Sequence, residues 1–328
     1  MERLLDQDLL QRLYSGDRRI ASRLITLVEQ QHNQVPQLLQ AIHPHTGQAY
    51  CIGVTGPPGC GKSTLVDGLT LFLRQEQKQV GILAVDPTSP YSGGAVLGDR
   101  IRMQRHYLDS GVFIRSMASR GNRGGVATAL RWAVQVLDAA GKESVLVETI
   151  GAGQGDVDVS MVADTVVVVL VPEAGDAIQT MKAGLMEIAD IFVVNKADRG
   201  GALAVVRALK AMLALGKPGT GWQVPVITTK ANQGVGIKEL HVQIQRHREY
   251  LESSSQLEAM RSKRRRQAFL LSVQEALHVR IAKLVQGHSE LADLAQAVEL
   301  GEVDPLIAAQ KVVRDTAMLS LLATMEEE

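Results

Sequence analysis

Between Tyr50 and Thr229 the chain alternates short, unbroken apolar runs with segments whose apolar residues recur at helical spacing. The runs cover residues 50–54, 80–85, 112–114, 145–147, 165–171, 191–194 and 224–228. Most lack polar/apolar alternation, as expected of strands buried on both faces of a parallel sheet covered by helices. The pattern predicts a doubly wound α/β domain with a mostly parallel sheet. Upstream, Leu5, Leu9 and Leu13, then Ile20, Leu24, Leu27 and Val28, predict two helices broken at Ser15-Gly16-Asp17, with Asp17 placed to cap the second. A stretch holding Pro36, Pro44 and Gly47 leads into the first strand. Beyond Lys238 strand signals stop and helical patterning continues through Leu270, Val273, Leu277, Ile281 and Leu284. The basic run at 261–266 reads as a solvated helix face. A last helix starts at Asp304-Pro305, a cap followed by proline at the first helical position, and carries Leu306, Ala309, Val313 and Leu321 toward Met325. Such a tail needs a surface to pack on, either the sheet or a second subunit. These shifts divide the chain into a helical extension (1–48), an α/β domain (49–255) and a helical arm (256–328).

Composition narrows the class. At 328 residues and 45% hydrophobic, the chain can build one large core with helical additions. Lys+Arg and Asp+Glu are 35 each, so the net charge is +0 and gives no electrostatic footprint for nucleic acid or an anionic membrane. Cys51 and Cys60 form no CxxC pair, consistent with a reduced, cytoplasmic setting. The first thirteen residues lack the apolar core of a signal peptide, and the 165–171 run is too short to span a bilayer. A soluble cytoplasmic protein follows; a matrix protein with its presequence removed fits the same composition.

Chemistry enters with Gly56-Pro57-Pro58-Gly59-Cys60-Gly61-Lys62-Ser63, which fits GxxxxGK[ST] between an apolar strand and a helix. Phosphate oxygens need many donors in a small volume, and a side-chain-poor loop lets backbone N–H groups converge on them at a helix N-terminus. Gly59, Cys60, Gly61, Lys62, Ser63 and Thr64 form this candidate cradle, with Lys62 reaching the β- and γ-phosphates and Ser63 ligating Mg²⁺. Asn195-Lys196-Ala197-Asp198 follows the strand at 191–194. A carboxylate at Asp198 can accept from the ring imino group and exocyclic amine of guanine together, whereas adenine would leave it unpaired. Lys196 would lie along the base plane and Asn195 would tie this loop to the phosphate loop. Thr229-Lys230-Ala231, after the next strand, could contact the guanine carbonyl through backbone. Asp86 and Glu148 end strands at the carboxyl edge of the sheet, where they could hold Mg²⁺-bound waters.

Three further segments bear on switching. Asp99 closes a loop rich in glycine and serine beside the phosphate site, the composition of a mobile switch. Arg120 and Arg123 sit in a second glycine-rich stretch and face phosphate, a partner or solvent. Lys182, beyond the fifth strand, could stabilise charge building on phosphoryl oxygens, or could be an ordinary exposed helix lysine.

The assembled motifs, GPPGCGKST at 56–64, VDPTSP at 85–90, GGAVLGDRIRM at 93–103, ETIGAGQ at 148–154 and NKAD at 195–198, resemble the MeaB/ArgK group of GTPases within the SIMIBI class of P-loop proteins. That resemblance implies GTP hydrolysis to GDP and phosphate, and a chaperone role toward methylmalonyl-CoA mutase or a related cobalamin-dependent acyl-CoA mutase. It implies that Asp86, Asp99 and Glu148 occupy metal- and switch-associated positions, that Lys182 belongs to a third switch answering the mutase, and that the helical tail is a homodimerisation arm. Two other readings remain: a metal-delivery GTPase for a nickel enzyme, and an ATP-dependent transport-associated kinase or ATPase. The first needs a His-rich or Cys/His cluster, and the second a lysine-bearing variant of the loop where Pro57 and Pro58 stand.

Overall fold

Strands that are apolar throughout need cover on both sides, and this requirement organises the computed structural model, which describes residues 6–87, 103, 105–119, 125–149, 151, 159–174, 185–215, 221–287 and 289–314. The strands are β1 (Tyr50–Thr55), β2 (Val80–Pro87), β3 (Val112–Ser119), β4 (Ser144–Glu148), β5 (Thr165–Leu170), β6 (Ile191–Val194) and β7 (Val226–Thr228). They form one sheet in the order β3-β2-β4-β1-β5-β6-β7, with every neighbouring pair parallel. Successive residues of one strand serve opposite layers. Val166, Val168 and Leu170 of β5 join Phe192 and Val194 of β6 in a core shared with Leu13, Leu24, Ile25, Leu38, Val136 and Leu137. Val167, Val169, Ile191 and Val193 face the other way, against Leu65, Val66, Leu69, Leu240 and Ile244. Each such side chain contributes about 1.5–3 kcal/mol on burial. This is a doubly wound α/β fold.

One layer holds helices α1 (Gln7–Tyr14), α2 (Arg18–Glu29), α3 (Val35–Ile42) and α5 (Gly125–Ala139); the other holds α4 (Lys62–Gln75) and the helix Ile237–Ser253. Asp17 caps α2, its carboxylate accepting from the backbone N–H of Arg19 at 2.8 Å and of Ile20 at 3.3 Å. Asp304 does the same for the helix Pro305–Arg314, accepting from Leu306 N at 2.8 Å.

Two local readings are corrected, and a stretch left unassigned is filled in. The Pro36 stretch contains a helix, α3, because proline in a first turn surrenders an N–H that has no partner there anyway. The third strand runs to Ser119 rather than residue 114. It is an edge strand, so polar Arg115 is tolerated, and its guanidinium reaches Ser22 Oγ at 3.1 Å, Thr26 Oγ1 at 2.9 Å and Glu29 on α2. Nor is the 261–266 run simply a solvated face. Arg261 donates to the buried carboxylate of Asp164 at 2.6 Å and to the carbonyls of Gly47 and Ala49 at 2.8 Å each, while Arg264 reaches Asp164 at 3.2 Å. Asp164 also accepts from Cys51 N at 3.0 Å, which anchors the start of β1.

That cluster makes a stability test. Asp164→Ala leaves two guanidinium groups without their shared, 4% exposed carboxylate, and is expected to cost about 3–5 kcal/mol. Lys78→Ala, which opens the half-exposed pair with Glu143, is expected to cost under ~1 kcal/mol. Urea denaturation of the two variants checks the contrast; equal losses would deny the Asp164 cluster its anchoring role.

The chain groups into two units, Met1–Arg264 and Arg265–Glu328. In the second, Leu284 and Leu291 pack with Val285 and Val312, while Phe269, Leu270, Leu277, Ile281, Leu306 and Val313 are exposed. No helix among the described residues is long and apolar enough to cross a membrane.

Candidate active site

The sheet order sends the chain to opposite sides of β1, toward β2 and toward β5, and a crevice opens at the carboxyl ends of strands around such a reversal. The loop following β1 lies there. Gly56, at φ 138°, stands so close to β5 that any Cβ would fall onto the Val169 carbonyl oxygen, so only glycine starts this turn. Helix α4 then begins at Lys62. The Lys62 ammonium, 6% exposed, donates to Gly56 O at 2.8 Å and Pro57 O at 3.1 Å.

Parallel register brings β4 alongside. Val54 and Ala84 both pair with Glu148, so the Glu148 carboxylate arrives level with the end of β1. Ser63 Oγ donates to Glu148 Oε1 at 2.6 Å, and both residues are buried. Thr149 N donates to Val54 O at 3.1 Å and Thr149 Oγ1 to Thr55 Oγ1 at 2.8 Å, which locks the turn after β4 onto β1. Gly151 follows at φ 83°, where a Cβ would collide with Gly56 O and stand 2.6 Å from Lys62 Nζ. Asp86 belongs to β2, paired with Ala118, two residues beyond the Ala84–Glu148 level.

The loop after β6 meets the phosphate loop directly. Asn195, 2% exposed, donates from Nδ2 to Cys60 O at 2.9 Å. Its Oδ1 accepts from Thr229 Oγ1 at 2.9 Å and Ala231 N at 3.1 Å, so one amide joins three loops. Lys196, held at φ 55°, donates to Gly59 O at 2.7 Å. Ala197 N donates to Thr229 O at 3.0 Å. Asp198 stands exposed at the rim of this turn, and Lys230 lies beside Ala231 in the adjoining loop. Cys60 is fully buried, and burial pushes its thiol pKa up, which suits packing rather than nucleophilic chemistry.

Comparison with known proteins agrees with this geometry. The family described as methylmalonyl Co-A mutase-associated GTPase MeaB matches residues 21–286. A GTPase of Pyrococcus abyssi is 47% identical over 94% of this chain and 96% of its own length. The chain belongs to the MeaB family. It is a GTPase. The mitochondrial methylmalonic aciduria type A homolog of Mus musculus is 30% identical, covering 78% of this chain and 67% of that protein. A solved structure described as an LAO/AO transport system kinase superposes with a TM-score of 0.71 at 27% identity, over 94% of this chain and 97% of that one.

The structure thus gathers Gly59, Cys60, Gly61, Lys62, Ser63, Thr64 and Glu148 on one side of the crevice, with Asn195, Lys196, Asp198, Thr229, Lys230 and Ala231 beside them. Asp99, Arg120, Arg123 and Lys182 lie outside the described residues, as does the end of the tail from residue 315. Sequence reasoning gave no role to Thr55, Thr149 or Gly151, which the structure places beside the phosphate loop. Thr149 and Gly151 lie in the ETIGAGQ stretch at 148–154, Gly151 three residues after a strand-terminal carboxylate, whereas Thr55 carried no local signal.

Proposed function

We propose that this GTPase serves a cobalamin-dependent acyl-CoA mutase, methylmalonyl-CoA mutase being the best candidate, and couples GTP hydrolysis to adenosylcobalamin loading and protection of that enzyme. The family match over residues 21–286 carries the reading, and the name of the mouse relative supports it. GTP enters with its triphosphate on the 59–64 loop and its base against Asn195, Lys196 and Asp198, with Thr229–Ala231 closing the rim. Lys62 neutralises phosphate charge. The protein acts in the cytoplasm as a homodimer, and the exposed apolar side chains Phe269, Leu270, Leu277 and Ile281 of the second unit supply a surface suited to a second copy.

The donor set also fits Mg²⁺. Ser63 Oγ and the Glu148 carboxylate are hard oxygen ligands 2.6 Å apart, in the place where a divalent cation would neutralise the β- and γ-phosphates. Bound there, Mg²⁺ supplies charge neutralisation and orientation of the triphosphate. Asp86, Asp99 and Glu148 are the carboxylates proposed for it, and Lys182 is proposed to act in the partner's response. Glu148→Gln keeps the shape but removes the charge. It is expected to slow single-turnover hydrolysis roughly 100-fold and to raise the Mg²⁺ concentration required, while GDP affinity in EDTA stays the same. Unchanged magnesium dependence would remove Glu148 from the metal site.

Hydrolysis without a partner is expected to be slow, the largest rate gains in P-loop GTPases coming from charge supplied at the phosphates on partner engagement. Adding methylmalonyl-CoA mutase should accelerate single-turnover hydrolysis roughly tenfold or more. Identical rates with and without the mutase, together with no co-purification, would exclude the partnership while leaving the GTPase assignment intact.

A further inference from the structure

At the opposite edge of the sheet, where β2, β3 and β4 begin, lies a cavity of about 740 Å³. That volume falls within the ~300–1,000 Å³ typical of small-molecule sites. Gln79, Ser110 and Lys142, from the turns entering those strands, line it together with Arg12, Arg18 and Arg19 of the first two helices. Four of the six are cations, in a chain whose net charge is +0.

Among the described residues the only carboxylate in the lining is Asp17, and its charge is already engaged. It accepts from the Arg12 guanidinium at 2.8 Å and from the backbone at the start of α2. The other three cations have neutral partners or none. Lys142, 4% exposed, donates to Gln79 Oε1 at 3.0 Å and Gly111 O at 3.3 Å. Arg18 donates to the carbonyls of Tyr107 at 3.4 Å and Asp109 at 3.3 Å. Arg19 has no side-chain partner among the described residues, and no carboxylate among them stands within ion-pair distance of Arg18, Arg19 or Lys142. A buried ammonium facing only carbonyl-type acceptors is costly unless a counter-charge arrives. The local potential shows in Lys142 itself. Burial first, then Arg18 and Arg74, push its pKa down to about 8 against the pull of Asp109.

We propose that this cavity binds a small phosphate-bearing molecule, whose oxygens are received by the Lys142 ammonium and the Arg18 and Arg19 guanidinium groups. Two planar guanidinium forks beside a compact ammonium match the many oxygens of phosphate better than the two of a carboxylate. The site is separate from the GTP crevice. Strands β2 and β4 run from this cavity toward the other edge, where they end at Pro87 and Glu148. An anion bound here would therefore sit at the roots of the two strands that present Asp86 and Glu148.

The test uses the full-length protein saturated with GDP, so that the phosphate loop is filled, titrated calorimetrically with inorganic pyrophosphate. A single saturable event is expected, weakened roughly tenfold or more in the double variant Arg18→Ala/Arg19→Ala with GDP affinity unchanged. Lys142→Met should weaken it likewise. Should that buried substitution fail to fold, the double variant, at half-buried and exposed positions, decides alone. Absence of binding, equal binding by the double variant, or equal affinity for succinate would each overturn the assignment.

Discussion

Lys62→Ala is expected to lower kcat/KM for GTP about 10³-fold or more, a loss of roughly 4 kcal/mol in transition-state stabilisation. Two effects add. Lys62 Nζ is held 2.8 Å from Gly56 O and 3.1 Å from Pro57 O, so the ammonium spans the first turn of the loop from beneath. Alanine leaves those carbonyls without that donor, which blurs the alignment of backbone N–H groups that the phosphates need. The larger effect is the missing charge where negative charge gathers. Arginine should not rescue the function. A Cβ on Gly151 would already stand 2.6 Å from Nζ, so the space around the ammonium does not admit a planar guanidinium. Titration with a fluorescent GDP analogue and single-turnover hydrolysis measure the loss, and an unchanged nucleotide-free melting temperature would show that the fold survives. Wild-type turnover in the alanine variant would remove Lys62 from the mechanism.

The parts of this molecule that were legible in the sequence are those whose cause is local. Residues 165–170 and 191–194 read as strands because both faces of each are buried, which makes them uniformly apolar. The loop from Gly56 to Ser63 read as a phosphate cradle because backbone approach dictates its glycines. What escaped depends on partners far along the chain. Arg115 breaks an apolar pattern in an edge strand because α2 offers it Ser22, Thr26 and Glu29. Arg261 looked solvated because Asp164, its buried partner, lies 97 residues away. The same holds in the site. The Thr149–Thr55 hydroxyl bond joins residues 94 positions apart, and although Thr149 lies in the ETIGAGQ stretch, nothing local marks Thr55 as its partner. Asn195 stands between these cases. Its place in NKxD is local, yet its carboxamide works by joining its own loop to Cys60 after β1 and to Thr229 and Ala231 after β7, loops that only the parallel sheet brings together.

That joining makes Asp198→Asn a sharper test of base recognition than any change at Asn195. Asn195→Ala would strip partners from Thr229 Oγ1, Ala231 N and Cys60 O at once, and its effects on fold and on nucleotide would be inseparable. Asp198 differs: it is exposed and its side chain has no hydrogen-bond or ion-pair partner among the described residues. The turn beneath it is pinned by other atoms, Ala197 N to Thr229 O at 3.0 Å and Arg199 N to Lys196 O at 2.9 Å. Stability should therefore change by less than ~0.5 kcal/mol. Recognition should change much more. A carboxylate accepts from both the imino N–H and the exocyclic amine of guanine, whereas an amide offers one acceptor and one donor, so its NH₂ opposes the amine. Xanthine carries a carbonyl in place of that amine and restores the match. Affinity for GTP is expected to fall roughly 10²–10⁵-fold while affinity for XTP rises, as follows when a site built around a polar pair loses one partner. Competition of GTP and XTP for the wild-type and variant proteins measures the exchange. If the variant still prefers GTP, the base is read by another group, and the part assigned to the loop after β6 shrinks to the link that Asn195 makes with Cys60.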